Sequence, residues 1–141
     1  MKQINIEATV DLPVEKVWQL FINPENYPKY FKFVHAVFYK GEMKLGYRWF
    51  DLATVVYFPA LVLHQVTKFE KEKTLEFYCP LPLIGGIRET VDFEEKDKKT
   101  YIKGLITYSY GPIFGPMFNK IFEKRFSEMI YGAIDKFKKN L

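Results

Sequence analysis

Only a handful of polar residues are candidates for work inside this otherwise apolar chain: Arg125, Glu89, Asp51 and the two histidines, His35 and His64. On a helical wheel Arg125 falls between Phe118 and Met129, within an apolar face. There it suits a carboxylate or phosphate on a ligand; the commoner outcomes are pairing with a sheet carboxylate or snorkelling to water. Glu89 shares strand parity with Ile87, Val91 and Phe93, so it is expected to point inward. A lone buried carboxylate either pairs or has its pKa raised, and a raised pKa suits a general acid or base. An ion pair with Arg125 is the expected arrangement. Asp51 shares parity with Tyr47, Trp49 and Ala53, although a one-residue register slip would turn it to water. Neither histidine has a second His, Asp or Glu at metal-ligand spacing, and a lone strand histidine is more often a surface or hydrogen-bonded residue. No nucleophile elbow, phosphate loop or HExxH pattern occurs, so neither metal nor cofactor is expected. Catalysis would fall to Glu89, Asp51 and His64, and the sequence does not bring any two of them together.

The elements that would position these residues follow from periodicity. Ile4, Ile6, Ala8 and Val10 alternate with Asn5, Glu7 and Thr9, the period of a half-buried strand. Asp11 and Pro13 then suit a helix start, and Val14, Val17, Trp18 and Phe21 recur at helical spacing. Asn23-Pro24 ends that helix, and a second short helix or turn carries Tyr27, Tyr30 and Phe31. A meander follows, with strands expected at about 33–40, 46–56, 61–70, 74–79, 87–95 and 100–110, each bounded by turn residues. From Pro112 the pattern becomes helical, and Met117, Phe118, Ile121, Phe122, Phe126, Met129 and Ile130 open a broad apolar face that runs on to Leu141. A helix of about 25 residues is on the order of 37 Å long, enough to cross a sheet.

Element order and the residues Ile6-Glu7-Ala8-Thr9-Val10-Asp11-Leu12-Pro13-Val14-Glu15-Lys16-Val17-Trp18, followed by Asn26-Tyr27-Pro28-Lys29-Tyr30-Phe31, resemble the helix-grip superfamily. That superfamily contains the birch-pollen allergen, the StAR-related lipid-transfer domains and the polyketide cyclase/dehydrase-like proteins. The resemblance implies an α+β fold: a curved seven-stranded antiparallel sheet around a long C-terminal helix, with two short helices between strands one and two. It also implies a cavity for an apolar ligand, and it spans residues 1–141 as one domain. Tyr27-Pro28-Lys29-Tyr30-Phe31 is similar to the tyrosine-proline-aromatic motif of the coenzyme-Q-binding subgroup, but Phe33-Val34-His35 departs from that motif's continuation. A quinone is therefore one candidate ligand among several.

The bulk composition fits a single core. A chain of 141 residues suits one domain, and its fourteen Phe and ten Tyr are enough either to line a cavity or to fill a core. The net charge of +4 comes mostly from lysines interleaved with glutamates, as in Glu70-Lys71-Glu72-Lys73. That reads as a solvated surface and not a nucleic-acid face, though a modest positive balance also suits peripheral contact with an anionic membrane. Cys79 is the lone cysteine, so neither an internal disulfide nor a cysteine zinc site is expected. The N-terminus lacks a signal-peptide core and no apolar run reaches a membrane span, which makes the cytoplasm the expected compartment.

In an up-and-down sheet alternate connections share an end. The connections at Lys40–Gly46, Glu70–Lys73 and Glu95–Lys99 are charged, whereas residues 57–60, 79–86 and 110–117 are apolar and rich in Pro or Gly. Contiguous apolar surface marks a ligand mouth, a membrane contact or a protein interface; such loops also simply fold inward over a core. Phe58, Leu81, Leu83, Ile84, Ile113 and Phe114 are expected to frame an entrance, with Phe118, Phe122, Arg125, Met129 and Glu89 contacting the ligand inside. The expected function is non-catalytic binding or transport of a lipid-, quinone- or polyketide-like molecule. The alternatives are a cyclase or dehydratase acting on a hydrophobic ketone, and a protein- or membrane-interaction module using the apolar rim. Two acid–base groups meeting in the cavity would favour the enzyme; a wholly apolar cavity would favour the carrier.

Overall fold

The computed structural model describes residues 2–55, 58–81 and 85–110, and, of the C-terminal stretch, 124–125, 127–129, 131–132, 135–136 and 138–139. The chain runs β1 (Lys2–Val10), α1 (Val14–Phe21), a 3-10 turn (Pro24–Asn26), α2 (Tyr27–Tyr30), β2 (Val34–Phe38), β3 (Arg48–Val55), β4 (Phe58–Glu70), β5 (Thr74–Leu81), β6 (Gly85–Lys96) and β7 (Lys99–Tyr110). The seven strands form one antiparallel sheet in the order β1-β7-β6-β5-β4-β3-β2. The described C-terminal residues, among them Arg125 and Met129, have helical backbone. The rest of the long helix expected from Pro112 onward lies outside the described residues.

Two bulges re-phase the inward face. Pairing shifts between Val66 and Lys68 in β4 and between Val34 and Ala36 in β2. An extra residue bends its strand and moves every later side chain to the other face. Val62 and Val66 therefore point inward before the β4 bulge, and Phe69 does so after it. In β2 the inward series passes from Val34 to Val37 and Tyr39.

The short helices close the end of the grip that carries the charged turns. Trp18 of α1 is 1% exposed and meets Phe69 and Phe93 edge-on, with centroids 5.3 and 5.5 Å away. The start of α1 differs from the sequence expectation. Pro13, not Asp11, occupies the capping position, and no side chain of the segment caps the helix. The Val14 N–H instead donates to Glu95 Oε1 at 2.8 Å, an acceptor supplied by the end of β6. A carboxylate there satisfies one orphan donor and complements the helix dipole. The buried Thr100 hydroxyl donates to the Leu12 carbonyl at 2.7 Å and ties β7 to the same corner.

The apolar connections are shorter than the sequence suggests. Pro80 and Leu81 continue the ladder opposite Gly86 and Gly85, and β4 begins at Phe58. Of the expected entrance residues, Leu83, Ile84, Ile113 and Phe114 lie outside the described residues. On the charged side, β6 and β7 are joined by Asp97-Lys98, both at positive φ (55° and 63°). Those angles belong to a two-residue type I′ hairpin.

Candidate functional site

The inner face of the sheet and the short helices line a partly open cavity of about 160 Å³. Its wall is mainly apolar: Ile6 and Ala8 from β1, Phe21 from α1, Tyr27 from α2, Phe31, Phe33 and Val34 from the approach to β2, Phe77 from β5, Val91 from β6, and Ile102 and Ile106 from β7. Among the described residues two carboxyls and one imidazole interrupt it: Asp51, Glu89 and His64. These are the three residues nominated by the sequence for acid–base chemistry, and the fold brings them to one wall.

Strand register explains how. Trp49 lies directly opposite His64 across the β3–β4 ladder, and Asp51 is two residues further along the same face of β3. His64 Nε2 is 2.8 Å from Asp51 Oδ2. Asp51 Oδ1 accepts a hydrogen bond from Trp49 Nε1 at 2.9 Å. The His64 ring stacks on Trp49 at 5.0 Å with 10° between planes. On its other side His64 Nδ1 is 3.0 Å from Cys79 Sγ on β5.

The proton positions follow from chemistry. Burial pushes the Cys79 thiol well above its ordinary pKa, and the nearby carboxyls Glu89 and Asp51 push it further. A thiol that keeps its proton can donate to Nδ1, and a neutral imidazole then carries its proton on Nε2, facing Asp51. Cys79, His64, Asp51 and Trp49 thus form a closed hydrogen-bonded chain, with both ring nitrogens and both carboxylate oxygens engaged. Such a chain fixes side chains in place and leaves the imidazole without a free ring nitrogen for a ligand.

Glu89 is different. It stands opposite Phe77 on β6, lines the cavity, and receives no hydrogen bond or ion pair among the described residues. Burial raises its pKa, His64 partly opposes that rise, and Asp51 adds to it. The titratable groups that act on it are Asp51 and, when it carries a positive charge, His64, and not Arg125, which is exposed. The expected Glu89–Arg125 pair is therefore replaced by a Glu89–His64–Asp51 cluster. The long Arg125 side chain reaches water, where its charge is cheapest. The Tyr27 hydroxyl donates to the Phe21 carbonyl, which leaves the ring as its contribution to the wall; burial, then Asp51 and Glu89, raise its pKa.

Leu81 and Met129 pack on a second apolar cluster around Ile4, Val62, Ile87 and Tyr108. Phe118 and Phe122 lie outside the described residues. His35 is on the outer side, bonded to Thr54. Sequence reasoning missed Cys79 as a partner of His64, and missed Phe21, Phe33 and Phe77 as cavity wall. The signal for Cys79 was its parity with Phe77, which becomes informative once the β4–β5 register is known. Among the described residues no group of three His, Cys, Asp or Glu is arranged to hold a metal ion, and no helix is long and apolar enough to cross a membrane.

A family model described as polyketide cyclase/dehydrase and lipid transport matches residues 1–141. No functionally curated protein matches the chain by sequence. Among solved structures, a Thermus thermophilus protein superposes with a TM-score of 0.80 at 19% identity, covering 98% of this chain and 95% of its own. The major latex-like protein 151 of Panax ginseng gives a TM-score of 0.76 at 10% identity, covering 99% and 96%. The di-domain ARO/CYC StfQ of the steffimycin biosynthetic pathway gives a TM-score of 0.77 at 10% identity; 97% of this chain matches 49% of that one. At these identities the likeness is one of fold.

Proposed function

We propose, for a chain that belongs to the polyketide cyclase/dehydrase and lipid transport family, that it binds a hydrophobic small molecule in the cavity between the sheet and the C-terminal segment and acts as a carrier or receptor. The observation that carries this reading is the cavity wall, which among the described residues is apolar apart from the Asp51–His64–Glu89 cluster and Thr90. Apolar pockets with a few convergent polar groups are the usual form of small-molecule sites. The cavity volume of about 160 Å³ is close to the roughly 150 Å³ of an engineered apolar cavity that takes up a benzene ring. The apolar rim framed by Phe58, Leu81, Leu83, Ile84, Ile113 and Phe114 is assigned as the entrance, with Phe118, Phe122 and Met129 closing over the ligand. Extraction and mass spectrometry of the natively purified protein should recover an apolar compound. Ala8→Phe, which fills the cavity from β1, should abolish uptake of a neutral environment-sensitive dye, and Leu83→Lys and Phe114→Lys should weaken it. Unchanged dye binding by folded Ala8→Phe would place the ligand elsewhere.

A second reading, acid–base chemistry of the cyclase or dehydratase kind on a ketone, is favoured by the meeting of Asp51 and His64 in the cavity wall. Those two groups engage each other, so the acid offered to substrate is Glu89, whose raised pKa suits proton donation. Turnover of a small enolisable ketone that is lost in Glu89→Gln, with ligand binding retained, would support it.

A further inference from the structure

The charge and the ring content of the cavity wall both bear on which hydrophobic ligands it accepts. Among the described residues two carboxyl side chains, Asp51 and Glu89, stand in that wall, and the one basic lining group, His64, has both ring nitrogens already engaged. Five aromatic rings share it: Phe21, Tyr27, Phe31, Phe33 and Phe77. Tyr27 meets Phe31 edge-on at 5.5 Å, and Phe31 lies 6.0 Å from Phe33, so three of the rings form a continuous aromatic side. Aromatic faces carry negative electrostatic potential and attract cations, more strongly when water is excluded. Among the described lining residues, a carboxylic or phosphoric acid ligand would meet Asp51, aromatic rings and Glu89, and would find no free donor but Glu89 itself.

We propose that the cavity selects a hydrophobic organic cation, a protonated amine on an aromatic or short alkyl body, whose ammonium group pairs with Glu89 against the Tyr27–Phe31–Phe33 rings. This rests on the cavity-binding reading above and specifies its ligand class. Glu89 is the pairing group because its carboxyl faces the cavity with no hydrogen bond from the described residues, whereas Asp51 is 2% exposed and spent on Trp49 and His64. Asp51 then acts at a distance, keeping the wall negative. The groups facing Glu89 are Asp51 of β3, His64 of β4, Cys79 of β5 and Tyr27 of α2.

The proton balance gives the proposal a sign. In the empty cavity burial favours the neutral acid. Binding R–NH₃⁺ converts Glu89 to a carboxylate and releases one proton to solvent. Affinity for an amine therefore rises with pH from the ordinary carboxyl range upward, until the amine itself deprotonates. A neutral carbonyl ligand, accepting a hydrogen bond from the protonated acid, has the opposite trend.

The test uses three ligands of one size: 2-phenylethylamine, 2-phenylethanol and 3-phenylpropionate, titrated into the full chain by calorimetry or ligand-observed NMR between pH 5 and 8. The expected result is amine binding at least tenfold tighter than alcohol, no measurable binding of the carboxylate, and amine affinity that climbs with pH. Glu89→Gln should bring the amine down to the alcohol's affinity and abolish the rise of amine affinity with pH, while leaving the circular dichroism spectrum unchanged. Alcohol or carboxylate binding equal to that of the amine, or affinity that falls with pH, overturns the cation selectivity and leaves the cavity reading intact. Failure of all three to bind overturns the cavity reading and this inference with it.

Discussion

Replacing Asp51 with alanine puts the closed chain beside the cavity under direct strain. The substitution removes the acceptor of two donors, Trp49 Nε1–H and His64 Nε2–H. Trp49 is 2% exposed and held between strands, so its N–H has no route to water. A buried donor left unsatisfied costs about 1–3 kcal/mol. His64 borders the cavity and can hydrate, so its share is nearer the low end, about 1 kcal/mol. Together the expected loss is about 2–4 kcal/mol, large against the roughly 5–15 kcal/mol that holds a domain together. Urea unfolding followed by far-UV circular dichroism measures it as a fall in midpoint at constant slope. The companion variant is Trp49→Phe, which deletes one of the donors. In Trp49→Phe/Asp51→Ala the combined loss should fall short of the sum of the singles by about 1–2 kcal/mol, since the orphaned donor is then gone. A shift below about 0.5 kcal/mol for Asp51→Ala, or strict additivity of the pair, would refute the idea that this chain is a closed, dry network.

Glu89→Gln should be more stable than the parent at neutral pH, because the folded state no longer resists ionising a partly buried acid. A carboxyl whose folded pKa is raised keeps its stability at acid pH and loses it as pH climbs from its ordinary value near 4.5, so the parent's midpoint should decline over that range and the variant's should decline less. Glu95→Ala should cost about 0.5–1 kcal/mol by uncapping Val14, with a smaller loss in high salt, as read by thermal unfolding. Lys98→Gly, which relieves a non-glycine residue at φ 63°, should stabilise by about 1 kcal/mol and raise the melting temperature accordingly. Cys79, 2% exposed with its thiol held protonated, should react with a thiol reagent no faster than the protein opens; prompt labelling of the native protein would contradict the Cys79–His64 bond.

Local pattern carried much of the architecture. The alternation of Ile4, Ile6, Ala8 and Val10, the helical spacing of Val14, Val17, Trp18 and Phe21, and the charged breaks at Glu70–Lys73 and Glu95–Lys99 are all short-range signals, and each reappears in the observed element order. Parity within a strand is also local, which is why Asp51 and Glu89 were legible as inward-facing before any tertiary contact was known. The acceptor at the start of α1 was not legible. Asp11 is the local candidate, but the bond comes from Glu95, 81 residues away.

The site divides along the same line. The sequence by itself determined which residues could do chemistry and which way they face, because a side chain's direction depends on its own strand. Only the tertiary structure decided that His64 meets Asp51 and Cys79, that Glu89 is left open to the cavity, and that Arg125 stands outside it. Those outcomes depend on register between strands and on two bulges that re-phase β2 and β4. Register is a property of pairs of strands, set by the summed burial of both faces, and no single stretch of residues contains it.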